Sequence, residues 1–226
     1  MFTYFRLWWQ DKVKTYLLLC LFGIPITWLF LTLIAWGGEY FYLYMMGTTV
    51  ALMMLFMQLI PSFIMPLFNK YEELGAGSLR EQIEECARDL KFPLRKLYVV
   101  DASKRSDHSN AYYFGFGGNK RIVLFDTLLE QHKNEREIVA IVCHELGHWY
   151  YMHPLKMMCV SIVNLCVLFY TFSLVLNNMT LLVSFGFTQP SNFISFYIFL
   201  KVYGLLSYVL SRGMTQMSRK YEYEAD

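Results

Sequence analysis

Four apolar stretches, at 16–36, 41–64, 157–176 and 193–210, constrain this chain more than any other feature. Each is about as long as a helix needs to cross a hydrocarbon core of about 30 Å at a rise of about 1.5 Å per residue. Buried helices of a soluble protein are the alternative for each stretch. Four of them in 226 residues would leave too little polar surface to cover them. Composition agrees, since 56% hydrophobic residues, 18% aromatic residues and a mean hydropathy of +0.32 are high for a soluble domain. A secretory signal peptide does not fit the first stretch, which is long and is followed by no small-residue cleavage site.

The placement of charge sets an expected topology. Of 20 Lys and Arg residues, three precede the first stretch, 13 lie between Pro66 and Lys156, and three follow the fourth. The connections 37–40 and 177–192 contain none, and Lys201 lies inside the fourth stretch. Basic residues concentrate on the cytosolic side, which places the N-terminus, the middle segment and the C-terminus there. The middle segment balances its 13 cations with 13 anions, and the chain carries only +2, so nothing supports a nucleic-acid partner. Lys201 reads either as a cavity-facing cation or as a snorkelling one. Asn178-Met179-Thr180 is a glycosylation sequon on the expected lumenal side, too close to the membrane to be used.

His144-Glu145-Leu146-Gly147-His148 carries the parts of a zinc hydrolase at helical spacing. Residues four apart lie about 40° apart around a helix, so both imidazoles reach one ion. Glu145 is displaced by about 100°, where it takes a proton from a metal-bound water. Asn134 and Glu137 form a capping pair ahead of an apolar run, so the helix starts near Glu135 and ends or kinks at Pro154. Gly147 leaves room for a backbone or a substrate to approach. His153, five residues past His148, falls roughly 140° around the same helix and is expected not to be a ligand.

A catalytic zinc site needs a third protein ligand. Glu222 is the candidate, because Asp226 shares its helix face and can accept a hydrogen bond from the second ring nitrogen of a ligating histidine. Glu224 points about 200° away from Glu222, so its removal should cost little. The other reading of this segment is a mixed-charge, solvated helix end.

The middle segment reads as mixed α and β. Ser78 to Glu81 forms a capping box opening a helix to about Leu90, 96–100 reads as a strand, and 111–116 pairs with 121–125 through Gly117-Gly118-Asn119. Such a strand edge beside a motif helix holds extended substrates by main-chain hydrogen bonds, and the strand starting at Asn110-Ala111 is the candidate. The five cysteines show no metal spacing; Cys143 reads as a small core residue rather than a ligand.

The His-Glu-Leu-Gly-His-Trp motif, the Glu-Tyr-Glu-Ala-Asp near the end, Ser109 to Gly115 and Asn119 to Leu129 together resemble the type I CAAX prenyl proteases, from about Gly37 to Asp226. The resemblance implies a membrane metalloendopeptidase of the endoplasmic reticulum that binds one Zn²⁺ and removes the last three residues of prenylated CAAX proteins. It also implies that the Asn110 amide contacts the oxyanion. The expected fold class is mainly α: a multi-span helical membrane protein with a small α+β zinc-metalloprotease domain. Residues 1–65 would form two membrane helices, 66–156 the cytosolic-side catalytic domain, 157–210 two further membrane helices, and 211–226 the helix with the third ligand. Rival readings are a quality-control metalloprotease of the HtpX type, or an inactive paralogue that binds prenylated or membrane proteins. Compared with the family pattern the chain looks truncated at both ends, and 226 residues alone are expected to be a poor enzyme.

Overall fold

The computed structural model describes residues 2–115, 117–176, 178–189 and 192–226. The chain is mainly helical. Helices α1 (Phe2–Leu18) and α2 (Ile24–Trp36) are joined through the π-helical segment Leu19–Gly23. Helices α3 (Phe41–Leu59) and α4 (Met65–Phe68) are joined the same way through Ile60–Ile64. Both wide turns sit where a proline needs them. Pro25 and Pro66 lack an N–H, and each ring would strike the carbonyl four residues back, which lies within the π segment. Later come α5 (Ser78–Asp89), α6 (Asp126–Gln131), α7 (Glu135–Tyr150), α8 (His153–Val175), α9 (Met179–Ser184) and α10 (Asn192–Ala225). Four helical rods are long and apolar enough to cross a bilayer: Tyr4–Trp36, Gly38–Phe68, His153–Val175 and Phe193–Ala225. The chain is a multi-pass membrane protein.

The residues group into two compact units. One holds residues 12–53 and 156–219. Within it, Phe41 and Met45 pack with Phe169, while Val175 and Leu182 pack with Ile198 and Phe199. Phe172 makes edge-on contacts with Phe41 and Phe199, at 5.7 and 5.0 Å between ring centres. Trp28, Phe193 and Leu205 point outward and are largely exposed, as helices facing lipid require. Lys201 faces a cavity of about 560 Å³ lined by Phe185, Phe187 and Tyr197, with its ammonium 5.3 Å above the Tyr197 ring.

The other unit holds residues 1–11, 54–155 and 220–226 and contains the sheet. Strands β1 (Tyr71–Glu73), β2 (Leu94–Val100), β3 (Ala111–Phe114) and β4 (Lys120–Phe125) lie in the order β1-β2-β4-β3. The β2–β4 pair is parallel and the other two are antiparallel. Ile122, Val123 and Leu124 are all buried, because β4 is central and covered on both faces. One face carries Leu97, Ile122 and Leu124 into a core with Ile83 and Ala87 of α5 and Ile138, Val142 and Leu146 of α7. The other face gathers Val100 and Val123 with Tyr71, Tyr98 and Tyr112.

Several sequence expectations change in detail. The hairpin strand ends at Phe114, and Phe116 lies outside the described residues. Ser78 does not cap α5: Gly77 precedes the helix, and the Ser78 hydroxyl donates to Glu135 at the start of α7. Cys143 is paired with Cys86 across the α5–α7 contact, with Cα atoms 6.4 Å apart. Pro154 does not interrupt the motif helix, which ends at Tyr150. Met152 then takes a positive φ of 58°, and Pro154 falls in the first turn of α8, where its missing N–H costs no hydrogen bond.

Candidate metal centre

Helix α7 starts where its sequence dictates. The Asn134 side-chain oxygen accepts from the Arg136 N–H at 3.1 Å, and Glu135 and Glu137 occupy the first turn, where the helix dipole favours negative charge. Ile138, Val142 and Leu146 repeat every four residues and bury against the sheet. Two residues further on, about 200° around the helix, His144 and His148 are therefore turned away from the sheet.

The last turn of α10 comes to this face at backbone contact. A Cβ built on Gly147 would lie 2.6 Å from the carbonyl oxygen of Ala225, so only glycine admits the approach. Glu222 then meets both imidazoles. The Nε2 atoms of His144 and His148 are 3.2 Å apart, and Glu222 Oε2 lies 3.4 and 3.5 Å from them. Ligand bonds of about 2.0–2.1 Å at tetrahedral angles around zinc put ligand atoms about 3.3 Å from one another. The donor triangle fits such an ion in size, and its two nitrogens and one carboxylate oxygen fit it in chemistry.

The remaining ring nitrogens are also engaged. His144 Nδ1 lies 2.7 Å from Asp226 Oδ1, so the carboxylate accepts its proton and leaves the Nε2 lone pair facing the triangle. His148 Nδ1 lies 2.9 Å from His153 Nδ1, and His153 Nε2 lies 3.1 Å from Glu224 Oε2. Neither His153 nor Glu224 joins the ligand triangle, but both lie behind it, in contacts that the angular argument does not reach. His153 belongs to α8, after a helix break at Tyr151 and Met152, so its position cannot be extrapolated along α7. Glu224 does turn away from Glu222, and there it meets His153. No spacing rule reports a contact made across a helix break.

Burial pushes the Glu145 carboxyl up; His144 opposes that rise and Glu222 adds to it. Burial holds the His148 imidazole below its usual value, which favours the neutral ring a metal requires. Tyr113 of β3 was not singled out by any motif. Its hydroxyl is pushed up to about 12, by burial first and by the Glu145 carboxylate second, which brings the strand near the proposed base.

Asn110 is exposed at the start of β3, and its side-chain oxygen accepts from the Ala111 N–H at 2.9 Å. Strand β3 is the edge of the sheet and packs on α7. The Phe125 N–H donates to the Asn110 carbonyl, and Ala111 is opposite Leu124. In that register the backbone groups of Ala111 and Tyr113 face away from β4, toward the open edge.

With the geometry in hand, the comparison with known proteins is direct. Residues 73–226 match peptidase family M48, and residues 3–70 match the CAAX prenyl protease N-terminal region of five membrane helices. The chain belongs to peptidase family M48. Over 217 residues it is 42% identical to the CAAX prenyl protease 1 homolog of Arabidopsis thaliana, covering 96% of this chain and 51% of that protein. The CAAX prenyl protease 1 homolog of Homo sapiens is 34% identical over 256 residues, covering 96% and 54%. The crystal structure of S. mikatae Ste24p matches with a TM-score of 0.85 at 36% identity, over 97% of this chain and 55% of that one. This M48 chain thus spans about half the length of the curated relatives it matches.

Two outcomes follow for the metal centre of this M48 chain. Gly147→Ala should push Ala225 away, at an overpacking cost of about 1–3 kcal/mol, and displace Glu222 and Asp226 with it. Zinc content by atomic absorption should fall while the secondary structure by circular dichroism is retained. Glu222→Ala should lose zinc outright, whereas Asp226→Asn should weaken binding by about 10- to 100-fold. Equal zinc affinity in these two variants and the parent would remove both residues from the centre.

Proposed function

We propose that this chain carries the catalytic centre of a membrane zinc endopeptidase that processes prenylated CAAX proteins. The observation that carries the proposal is the His144, His148 and Glu222 triangle with Glu145 beside it on α7. His144 and His148 through Nε2, and Glu222 through Oε2, would hold one Zn²⁺. When bound, zinc polarises the scissile carbonyl and makes water acidic enough to attack near neutral pH.

The protein residues do the rest. Glu145 accepts a proton from the attacking water and delivers it to the amine nitrogen of the leaving peptide. Ala111 and Tyr113 pair with the extended substrate through their outward backbone groups, adding it to the sheet edge. The Ala111 N–H is held by the Asn110 side chain in this structure. An incoming substrate carbonyl takes over that donor, and the Asn110 amide turns to present its NH₂ to the oxyanion.

Kinship with the CAAX prenyl protease 1 homologs supports the substrate class. We assign residues 1–65 and 157–210 to the bilayer, 66–156 to the catalytic domain, and 211–226 to the helix bearing the third ligand. The distribution of Lys and Arg supports a cytosolic catalytic side, and family kinship supports the endoplasmic reticulum membrane. The lipid bilayer and the prenylated peptide are the partners this reading requires.

Glu145→Gln should keep parental zinc content and lose hydrolysis by on the order of 10²-fold or more, because the amide keeps the shape without accepting the proton. Retained turnover would take Glu145 out of the mechanism. A farnesylated CAAX peptide should be cleaved in preference to its unprenylated twin, with products identified by mass spectrometry. Equal cleavage of the two would point instead to a general membrane protease of the quality-control type.

A further inference from the structure

We infer that His153 and Glu224 form a hydrogen-bonded relay that orients His148 from behind and sets the zinc affinity of the centre. The inference rests on the reading that His148 binds the metal through Nε2. That reading fixes every proton in the relay. A neutral imidazole whose Nε2 lone pair faces a metal carries its hydrogen on Nδ1. His148 Nδ1 is 2.9 Å from His153 Nδ1, so it donates and His153 Nδ1 accepts. The hydrogen of His153 is then on Nε2, which donates across 3.1 Å to Glu224 Oε2. An ionised carboxylate only accepts, so the chain ends consistently. Reversing the tautomer of either ring would set two hydrogens or two lone pairs against each other.

The surroundings hold the relay in place. His153 is only 3% exposed, and its ring lies nearly parallel to Tyr221 at 4.3 Å and to Tyr151 at 5.6 Å. Lys220 Nζ lies 3.4 Å from the other oxygen of Glu224. His144 obtains the same support in one step from Asp226. The two imidazoles are thus backed by carboxylates of the same helix end, one directly and one through a third ring.

The test measures zinc affinity of the chain purified in detergent, by competition with a chromophoric chelator, together with the visible spectrum of the Co²⁺-loaded protein. His153→Phe keeps a stacking ring and removes both nitrogens. Its zinc dissociation constant should rise about 10- to 100-fold, with an altered Co²⁺ spectrum. Glu224→Ala, at a partly exposed position, should raise the constant by about 10-fold, and Glu224→Gln should fall between it and the parent because the amide oxygen still accepts. Should His153→Phe fail to fold, the Glu224 pair decides the question. Parental affinity and spectrum in the Glu224 and His153 variants, with zinc binding abolished by His148→Ala, would overturn the relay and leave the metal centre standing. Parental zinc binding in His148→Ala would overturn both.

Discussion

The approach of the Ala225 backbone to Gly147 governs the geometry of the whole centre. At 2.6 Å from the Ala225 carbonyl oxygen there is no room for a β-carbon, so any other residue at 147 would hold the two helices apart. Once they touch, helical periodicity distributes the acidic side chains without further instruction. Glu222 and Asp226, four apart, share one face and reach His148 and His144, while Glu224 is carried round to His153. Three carboxylates within five residues thereby make three different contacts. Histidine–glutamate spacing alone could not bring this about, because nothing within α7 determines how near α10 comes.

Electrostatics favours a cation at that junction. Four carboxylates, those of Glu145, Glu222, Glu224 and Asp226, gather around three imidazoles, and burial holds the His148 imidazole below its usual value. Burial raises the Glu145 carboxyl, and the like charge of Glu222 adds to that rise. A divalent ion inside the nitrogen–oxygen triangle would offset that repulsion, and each backing hydrogen bond would make its imidazole a stronger donor to it.

What sequence reasoning could reach was whatever repeats with a period. The four membrane stretches, the start of α7, the shared face of His144 and His148, and that of Glu222 and Asp226 all follow from counting residues along a helix. The strands 96–100 and 121–125 were legible from their β-branched and aromatic runs, as was the hairpin of 111–114 with 121–125. Contacts made across breaks were not legible. The three-residue strand β1 is too short to show a period, and the parallel pairing of β2 with β4 skips the intervening strand. The Cys86–Cys143 pair joins two residues 57 apart in sequence, on different helices. The contacts of His153 were not legible because α7 ends before Met152, where a non-glycine residue takes a positive φ. Ser78 had a capping sequence, yet its hydroxyl found a partner on another helix.

Helix α7 is the common reference for the candidate histidine ligands and the sheet edge. Its Ile138, Val142 and Leu146 lock it against the sheet, and that packing sets the direction of His144 and His148. The same helix packs against β3, whose register turns Ala111 and Tyr113 outward. Because side chains and backbone groups alternate with a period of two, a slip of one residue would turn both positions back into the sheet. The electrostatic reach of Glu145 to Tyr113 ties the proposed base to that outward edge. The proposed base and the two candidate histidine ligands are therefore positioned by one helix, and the sheet edge packs on it, while α10 brings Glu222 to the same face.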